Sequence, residues 1–336
     1  MTEHPYRLRR RTLVAALPAA LTAAVAGLAA GAAAASDAFP GARPVTIVTA
    51  FAPGSGPDAV LRLVAEKLGK AWNQRVLVEN KPGGGGFIAI EAVRRAPADG
   101  YTLLQLDSEH LAALPYLYKS RGFETLKVFE PVASLFRTPF LLAVATDSKV
   151  RTVADLVAAA KVGPVSYGSW GVGSPGHLGG EQLEMLTGAE MQHVPFREVS
   201  QLYTSVGGGD VGWSFGSIPS SQGAYKAGKI RYIAVAAPKR LPQMPEVPTM
   251  AEAGGPASLA VNSFVVLVAP RGLPAAVRDR IDADVRKALA EPDIKARFDT
   301  FAFENVGWGP EQIMAEAAAK ARIYAELVRR KSISLE

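Results

Sequence analysis

The sequence predicts an α/β protein built in two halves, each a mostly parallel sheet flanked by helices. Three observations carry this. Strand-like and helix-like segments alternate from residue 45 to residue 106, the order expected of parallel strands joined by crossover helices. The middle of the chain repeats the plan. The 336 residues, 49% apolar and 20% charged, suffice for two ordinary globular domains.

Taken in order, the chain opens on a leader. Arg10-Arg11-Thr12-Leu13-Val14 is a twin-arginine pair followed by apolar residues, and an Ala-rich run covers 13–35. Ala33-Ala34-Ala35 and Ser36-Asp37-Ala38 offer small-residue cleavage sites. A basic, then apolar, then small-residue segment is an export signal, here residues 1–35 and of the twin-arginine type. A retained membrane anchor is the competing reading; the Ala-rich composition and the processing sites favour cleavage near Ala35 or Ala38 and a mature protein outside the cytoplasm. No later stretch is long and apolar enough to span a bilayer. The leader holds Arg7, Arg9, Arg10 and Arg11 against Glu3, so +3 of the formal +6 leaves with it. The remainder has no basic stripe with interleaved aromatics, which argues against a nucleic-acid partner. The absence of cysteine excludes a disulfide framework, a thiol nucleophile and a cysteine metal site.

Residues 45–48 read as a strand and 59–70 as a helix with Leu61, Val64 and Leu68 on one face. Between them lies Phe51-Ala52-Pro53-Gly54-Ser55-Gly56-Pro57-Asp58. A strand, a Gly/Ser loop and a helix start form an anion cradle: the first N–H groups lack intrahelical partners, and the macrodipole adds roughly half a positive charge. Pro57 suits the first helical position, and Gly54 and Gly56 allow close approach to the main chain. No Lys stands where a phosphate-gripping loop needs one, so a nucleotide is not favoured. An ordinary βα turn explains the same loop as well. Residues 76–78 form a second strand. The glycines at 83–86, without dinucleotide-fingerprint spacing, open a helix over 87–95, and Ala98-Asp99-Gly100 turns into a strand at 101–106.

In the second half, 141–145 is a strand, 155–160 lies on a helix, and the strand at 165–167 runs into Gly168-Ser169-Trp170-Gly171-Val172-Gly173-Ser174-Pro175-Gly176-His177 and a helix through Leu186. Strands follow at 192–195, 230–236 and 264–269. From Ala275 the chain is helical, broken near Pro292 and Gly307, and ends in a helix over 311–330. The second loop echoes the first, with Ser174 and Pro175 standing where Ser55 and Pro57 stand; Ser174 is a natural N-cap. Two such loops at corresponding places predict two sets of N–H donors converging on one small anion beyond the carboxyl ends of the strands.

In this order the motifs resemble the Bug solute receptors of tripartite tricarboxylate transporters. The resemblance covers nearly all of the mature chain. It runs through Phe39-Pro40-Gly41-Ala42-Arg43-Pro44-Val45, the 51–58 loop, Val78-Glu79-Asn80-Lys81-Pro82-Gly83 and Ala98-Asp99-Gly100-Tyr101-Thr102-Leu103. It continues in Tyr167-Gly168-Ser169, Gly173-Ser174-Pro175 with His177-Leu178, His193-Val194-Pro195-Phe196, Ile230-Arg231-Tyr232-Ile233-Ala234-Val235 and Val247-Pro248-Thr249. It implies a type II periplasmic-binding-protein (Venus-flytrap) fold with two crossing strands, lobe 1 from 39–140 plus 263–336 and lobe 2 from 141–262. It implies a monomeric periplasmic receptor rather than an enzyme, with no cofactor or metal, handing a small organic acid to membrane permease subunits. Carried over, Phe51, Ala52, Ser55, Gly56 and Asp58 line one wall of the site and Gly171, Gly173, Ser174 and His177 the other, with Ser108, Phe196 and Asp210 as further contacts. The guest carboxylate is then held by backbone donors and ordered waters.

Several positions depart from the family's usual pattern. Ser55 and Pro57 stand where Gly and Thr are common, and Asp107-Ser108-Glu109-His110-Leu111 replaces a Ser/Thr/His-containing stretch. Leu114 stands for a frequent Asn, Phe264 and Val266 for a Trp and a Gly, and Gly216 for an Asp or Asn. With those polar donors gone, an aromatic or more apolar carboxylate, or a neutral amide, fits as well as a dicarboxylate or tricarboxylate.

Plainer readings compete residue by residue. His177 reads equally as a capping residue, His110 more readily as an exposed loop histidine than a ligand contact, and His193 as structural; the three are not at metal-ligand spacing. Asp58 also fits a loop cap, Asp210 a turn residue, and Trp170 a packing aromatic between domains. Gly212-Trp213-Ser214-Phe215-Gly216 matches a nucleophile elbow. That chemistry needs a following helix and a later His. Pro219 reads as opposing the helix, and no His follows Ser214, so a secreted hydrolase is set aside. A receptor reporting to a sensor partner instead of a permease stays open.

Overall fold

The computed structural model describes residues 39–41 and 43–335; the leader, with its twin-arginine pair and cleavage sites, lies outside the described residues. The first half runs β1 (Val45–Thr49), α1 (Gly56–Trp72), β2 (Val76–Asn80), α2 (Phe87–Val93), β3 (Thr102–Asp107), the short helices α3 (Ser108–Ala112), α4 (Leu114–Leu117) and α5 (Thr125–Val128), then β4 (Phe129–Pro139). The chain crosses into β5 (Leu141–Ala145), α6 (Val153–Val162), β6 (Ser166–Ser169), α7 (Pro175–Thr187), β7 (Gln192–Pro195), α8 (Val199–Gly208), β8 (Trp213–Gly216), α9 (Ile218–Lys226) and β9 (Ile230–Val235). It crosses back into β10 (Asn262–Pro270) and closes with α10 (Ala275–Leu289), α11 (Pro292–Phe301) and α12 (Pro310–Lys331).

The two five-stranded sheets share one plan, β2-β1-β3-β10-β4 and β7-β6-β8-β5-β9. In each, four strands point one way. The fifth, β10 or β5, runs antiparallel to both neighbours. The reversal follows from connectivity, because β5 and β10 are the strands that enter their sheets directly from the other half. The two crossings lie side by side: Phe140 N–H donates to Val261 O (3.0 Å), Val261 N–H to Ala236 O (3.0 Å) and Ala236 N–H to Phe140 O (2.9 Å). Asn262 pairs with Pro139 across the same junction.

Both faces of each sheet are covered, which is why β10 reads as an unbroken apolar run. Val265, Leu267 and Ala269 face α10 and α11, while Phe264, Val266 and Val268 face α2 and α12, the period-2 alternation of a pleated strand. In the second half Leu142 and Val144 pack to one side of β5, Leu141 and Ala143 to the other.

Two differences from the sequence reading bear on the site. β4, eleven residues long, carries Pro131 and breaks register against β10 at two points. A proline on an edge strand with bulges gives no clean alternation to read. Pro219 opens α9 rather than preventing it, since proline is tolerated in a helix's first turn. Ser214 nonetheless lies fully buried within β8, its hydroxyl donated to Phe215 O at 2.7 Å, so no exposed nucleophile results. No helix among the described residues is long and apolar enough to cross a membrane.

Candidate functional site

The β1–α1 loop is shaped by its own side chains. Ser55 is the N-cap of α1, accepting from Asp58 N–H at 3.4 Å. Asp58, 2% exposed, accepts from Gly54 N–H (2.8 Å) and Arg62 Nε (3.0 Å) through one oxygen and from Asn80 Nδ2 (2.7 Å) through the other. Burial pushes the Asp58 carboxyl up, but Arg62, Asn80 and the Gly54 N–H outweigh it and hold it below its ordinary value. Asn80 also donates to Phe51 O (3.1 Å), tying the loop to β2.

The β6–α7 loop repeats the device. Ser174 caps α7 by accepting from His177 N–H (3.4 Å) and donates to Gly171 O (2.7 Å). His177 Nδ1 accepts from Gly173 N–H (3.1 Å), the counterpart of the Gly54–Asp58 bond. Behind it His177 stacks on His193, ring centroids 4.0 Å apart, and His193 Nε2 pairs with Ser169 Oγ at 2.7 Å. Burial, with His177 beside it, pulls His193 down to about 4 and keeps it neutral. Glu181, bonded by Tyr167 OH (2.9 Å) and 3.6 Å from His177 Nε2, is raised by burial but more strongly lowered by those two groups and Lys331, reaching about 2.

A cavity of about 250 Å³ lies between the halves. The first half supplies Ala50 and Phe51, the glycines at 83, 85 and 86, and Asp107, Glu109, His110, Leu114, Leu117 and Tyr118. The second supplies the 170–175 segment without Gly171, and Leu335 beyond α12 completes the wall. His110 is not an exposed loop residue. Its side chain is 15% exposed, and Nδ1 meets Asp107 Oδ1 at 2.5 Å. Burial pulls the His110 imidazolium down, but the Asp107 charge and hydrogen bond outweigh it and leave it above its ordinary value. Against burial, the same pair holds the Asp107 carboxyl below its own.

Of the residues singled out in the sequence, Phe51, Gly173 and Ser174 line this cavity. Ala52, Ser55, Gly56, Asp58, Gly171 and His177 belong to the same two loops but are not on its wall. At Gly56 an added Cβ would lie 3.0 Å from Phe303 and 3.1 Å from Pro219, so the second half covers the start of α1. Ser108 is fully buried, bonded to Glu109 (2.8 Å) and Ser263 (3.1 Å), and is not on the cavity wall. Phe196 packs into the core beside α8. Asp210 is exposed ahead of β8, at the end of the sheet opposite the β6–α7 loop, because its turn joins the amino end of a strand. Sequence reasoning passed over Tyr118 and gave His110 little weight; the Asp-x-x-His spacing of Asp107 and His110, a helix-capping pattern, was the available signal. No cluster among the described residues could hold a metal ion.

Comparison with known proteins shows the family and the fold. The profile of the tripartite tricarboxylate transporter family receptor, TctC, matches residues 60–332. A Pseudomonas sp. relative, the UPF0065 protein in the tcbD-tcbE intergenic region, is 34% identical over 277 residues, 82% of each chain. Among solved structures, an R. palustris protein with adipate is 30% identical with a TM-score of 0.78, covering 87% of this chain and 97% of that one. The periplasmic binding protein BugD is 28% identical with a TM-score of 0.75, covering 87% and 98%.

Proposed function

The chain belongs to the tripartite tricarboxylate transporter family of receptors, and from that premise we propose that it captures a small organic carboxylate, or a related amide or aromatic acid, between its lobes. On this reading the lobes divide as 39–140 with 263–336 and 141–262, a division that the two separate sheets and the paired crossings support. The mature protein works as a periplasmic monomer that hands its guest to the membrane subunits of a tripartite transporter, without chemical change. The observation that carries this is the cavity walled by both halves, with Gly173 and Ser174 facing Phe51 across it. A guest touching both walls favours the closed arrangement by its differential contacts. The solved R. palustris relative with adipate supports an acid as guest.

The test is a thermal-shift and calorimetric screen of adipate, other organic acids and neutral amides. At a hundredfold excess over Kd, a guest that binds only the folded protein adds about 2.7 kcal/mol. A well-folded sample that no small solute stabilises would refute the receptor reading, and so would turnover of any of them.

A further inference from the structure

We propose that His110, oriented through Nδ1 by Asp107, grips the single acidic end of the guest from lobe 1, and that the guest is a compact monocarboxylate with an apolar or aromatic body. This deepens the receptor reading and rests on it.

The cavity wall offers one cationic donor. With Nδ1 committed to Asp107, Nε2 is the ring nitrogen left to a guest. The ring is fixed by its neighbours. Phe51 stands edge-on to it at 6.2 Å, and the left-handed Gly86 passes so close to its Cδ2–Nε2 edge that a Cβ there would collide with it, so a guest reaches Nε2 past main chain that carries no side chain. Asp107 Oδ1 is itself held by the N–H groups of Glu109 (3.1 Å) and His110 (3.0 Å). A donor fixed in this way presents its hydrogen bond without losing rotamer freedom on binding, and a charge-assisted bond is about twice as strong as a neutral one.

The other charged group on the wall is already engaged. Glu109 accepts from Ser263 (2.6 Å), Ser108 (2.8 Å), Tyr324 (2.7 Å) and Lys320 (3.4 Å), and none of the four lines the cavity. The Asp107–His110 pair is neutral as a unit, so the cavity does not carry the surplus positive charge that two or three carboxylates would demand. The remaining side-chain surface is mostly apolar, with Phe51, Leu114, Leu117, Trp170 and Leu335 outweighing the Tyr118 and Ser174 hydroxyls. A second carboxylate pressed against the apolar groups would lose its hydration without a cationic side-chain partner. At about 250 Å³ the space falls below the roughly 300 Å³ at which drug-sized pockets begin.

The groups facing His110 are Asp107 and Glu109 on its own segment, Tyr118 with Arg121 beyond it, and Lys320 and Tyr324 of α12 behind Glu109. Asp107 is the one in contact, so it sets the pH at which the donor is lost.

The experiment titrates benzoate, benzamide and adipate calorimetrically into the wild-type protein, His110→Gln and Asp107→Asn from pH 5.5 to 8.5. Benzoate is expected to bind at least ~10-fold tighter than adipate. His110→Gln should lose ~10-fold or more for benzoate and little for benzamide. Asp107→Asn should move the pH midpoint of benzoate binding downward, a change that a purely structural role would not cause, and this decides the matter if His110→Gln fails to fold. Wild-type benzoate affinity in His110→Gln, an unmoved midpoint in Asp107→Asn, or a tenfold preference for adipate would overturn the inference while leaving the receptor reading standing. Failure of the wild-type protein to bind any acid would remove both.

Discussion

Ser55 and Ser174 sit in nearly the same backbone conformation, φ −67° and ψ 163° against φ −68° and ψ 158°. Each follows a left-handed glycine, Gly54 at φ +77° and Gly173 at φ +82°, whose N–H is caught by the side chain four residues on. The catching group differs. In lobe 1 it is the Asp58 carboxylate; in lobe 2 it is an imidazole nitrogen. Backbone geometry fixes the shape of both mouths, while this one side chain fixes their charge. Asp58 places a negative charge on the positive end of α1, and His177 leaves the start of α7 uncancelled. Lobe 2 therefore offers a helix mouth to an anion, and lobe 1 must answer with another group, which the cavity wall supplies as His110.

The largest test of this contrast is alanine at the two glycines. Both substitutions force a left-handed alanine, costing about 1–2 kcal/mol. At Gly54 the new Cβ meets nothing within 4 Å, whereas at Gly173 it lies 2.5 Å from Leu117 of the opposite lobe. Overpacking adds about 1–3 kcal/mol there. Denaturant titration should find Gly173→Ala clearly the worse, with guest affinity impaired as well. Equal losses would make the loops interchangeable and break the comparison.

Next in size, Asp58→Ala should cost about 1–3 kcal/mol, because Gly54 N–H, Asn80 and Arg62 all lose their acceptor. His177→Ala strands the Gly173 N–H and should sit at the low end of that range. Guest affinity should reverse the order, falling more for His177→Ala, whose loop lines the cavity.

The two lobes should also answer acid in opposite directions. His110 has a raised folded value, so its contribution to stability is complete below about 6.5 and is lost as pH rises through that raised value. His193, lowered to about 4, is the reverse: its contribution is present above about 6.5 and is lost as pH falls toward 4. Melting curves of His193→Gln should be flatter between those two pH values than the wild type, and those of His110→Gln flatter only on the alkaline side.

The smallest effect is at the caps. Ser55→Ala and Ser174→Ala should each cost about 1 kcal/mol, with Ser174 slightly more because its hydroxyl also holds Gly171 O. A reversed order would mean that the second hydrogen bond contributes nothing.

Much of the architecture was legible because the core strands carry it openly. The runs at 45–49, 141–145, 230–235 and 262–270 are largely apolar, and Pro, Gly and Ser mark the turns between them. The two loops were legible as a pair through Ser and Pro at matching offsets. The cavity wall was not, because it is assembled by contacts no local pattern records. His110 lies in a segment of short helices, α3 to α5, each too brief to show a period. Leu335 reaches the wall only because α12 carries it back across the molecule. Ser108 and Asp210 show what a residue type alone does not reveal: one polar side chain is turned inward to Glu109 and Ser263, and the other lies at the far edge of its sheet.

That last helix links parts otherwise described separately. Lys320 of α12 donates to the carbonyl of Asn262, at the crossing between the lobes (2.6 Å). One end further on, Lys331 clamps Glu181 (3.2 Å) and Glu184 of lobe 2, and Leu335 N–H bonds Leu117 O (2.9 Å) beside the guest. A rod anchored in this way gives the bulk of a bound molecule, pressed against Leu335, a mechanical route to the peptide about which the lobes would turn. Under the proposed capture, guest size, and not acidity alone, is then expected to set how far the two lobes draw together.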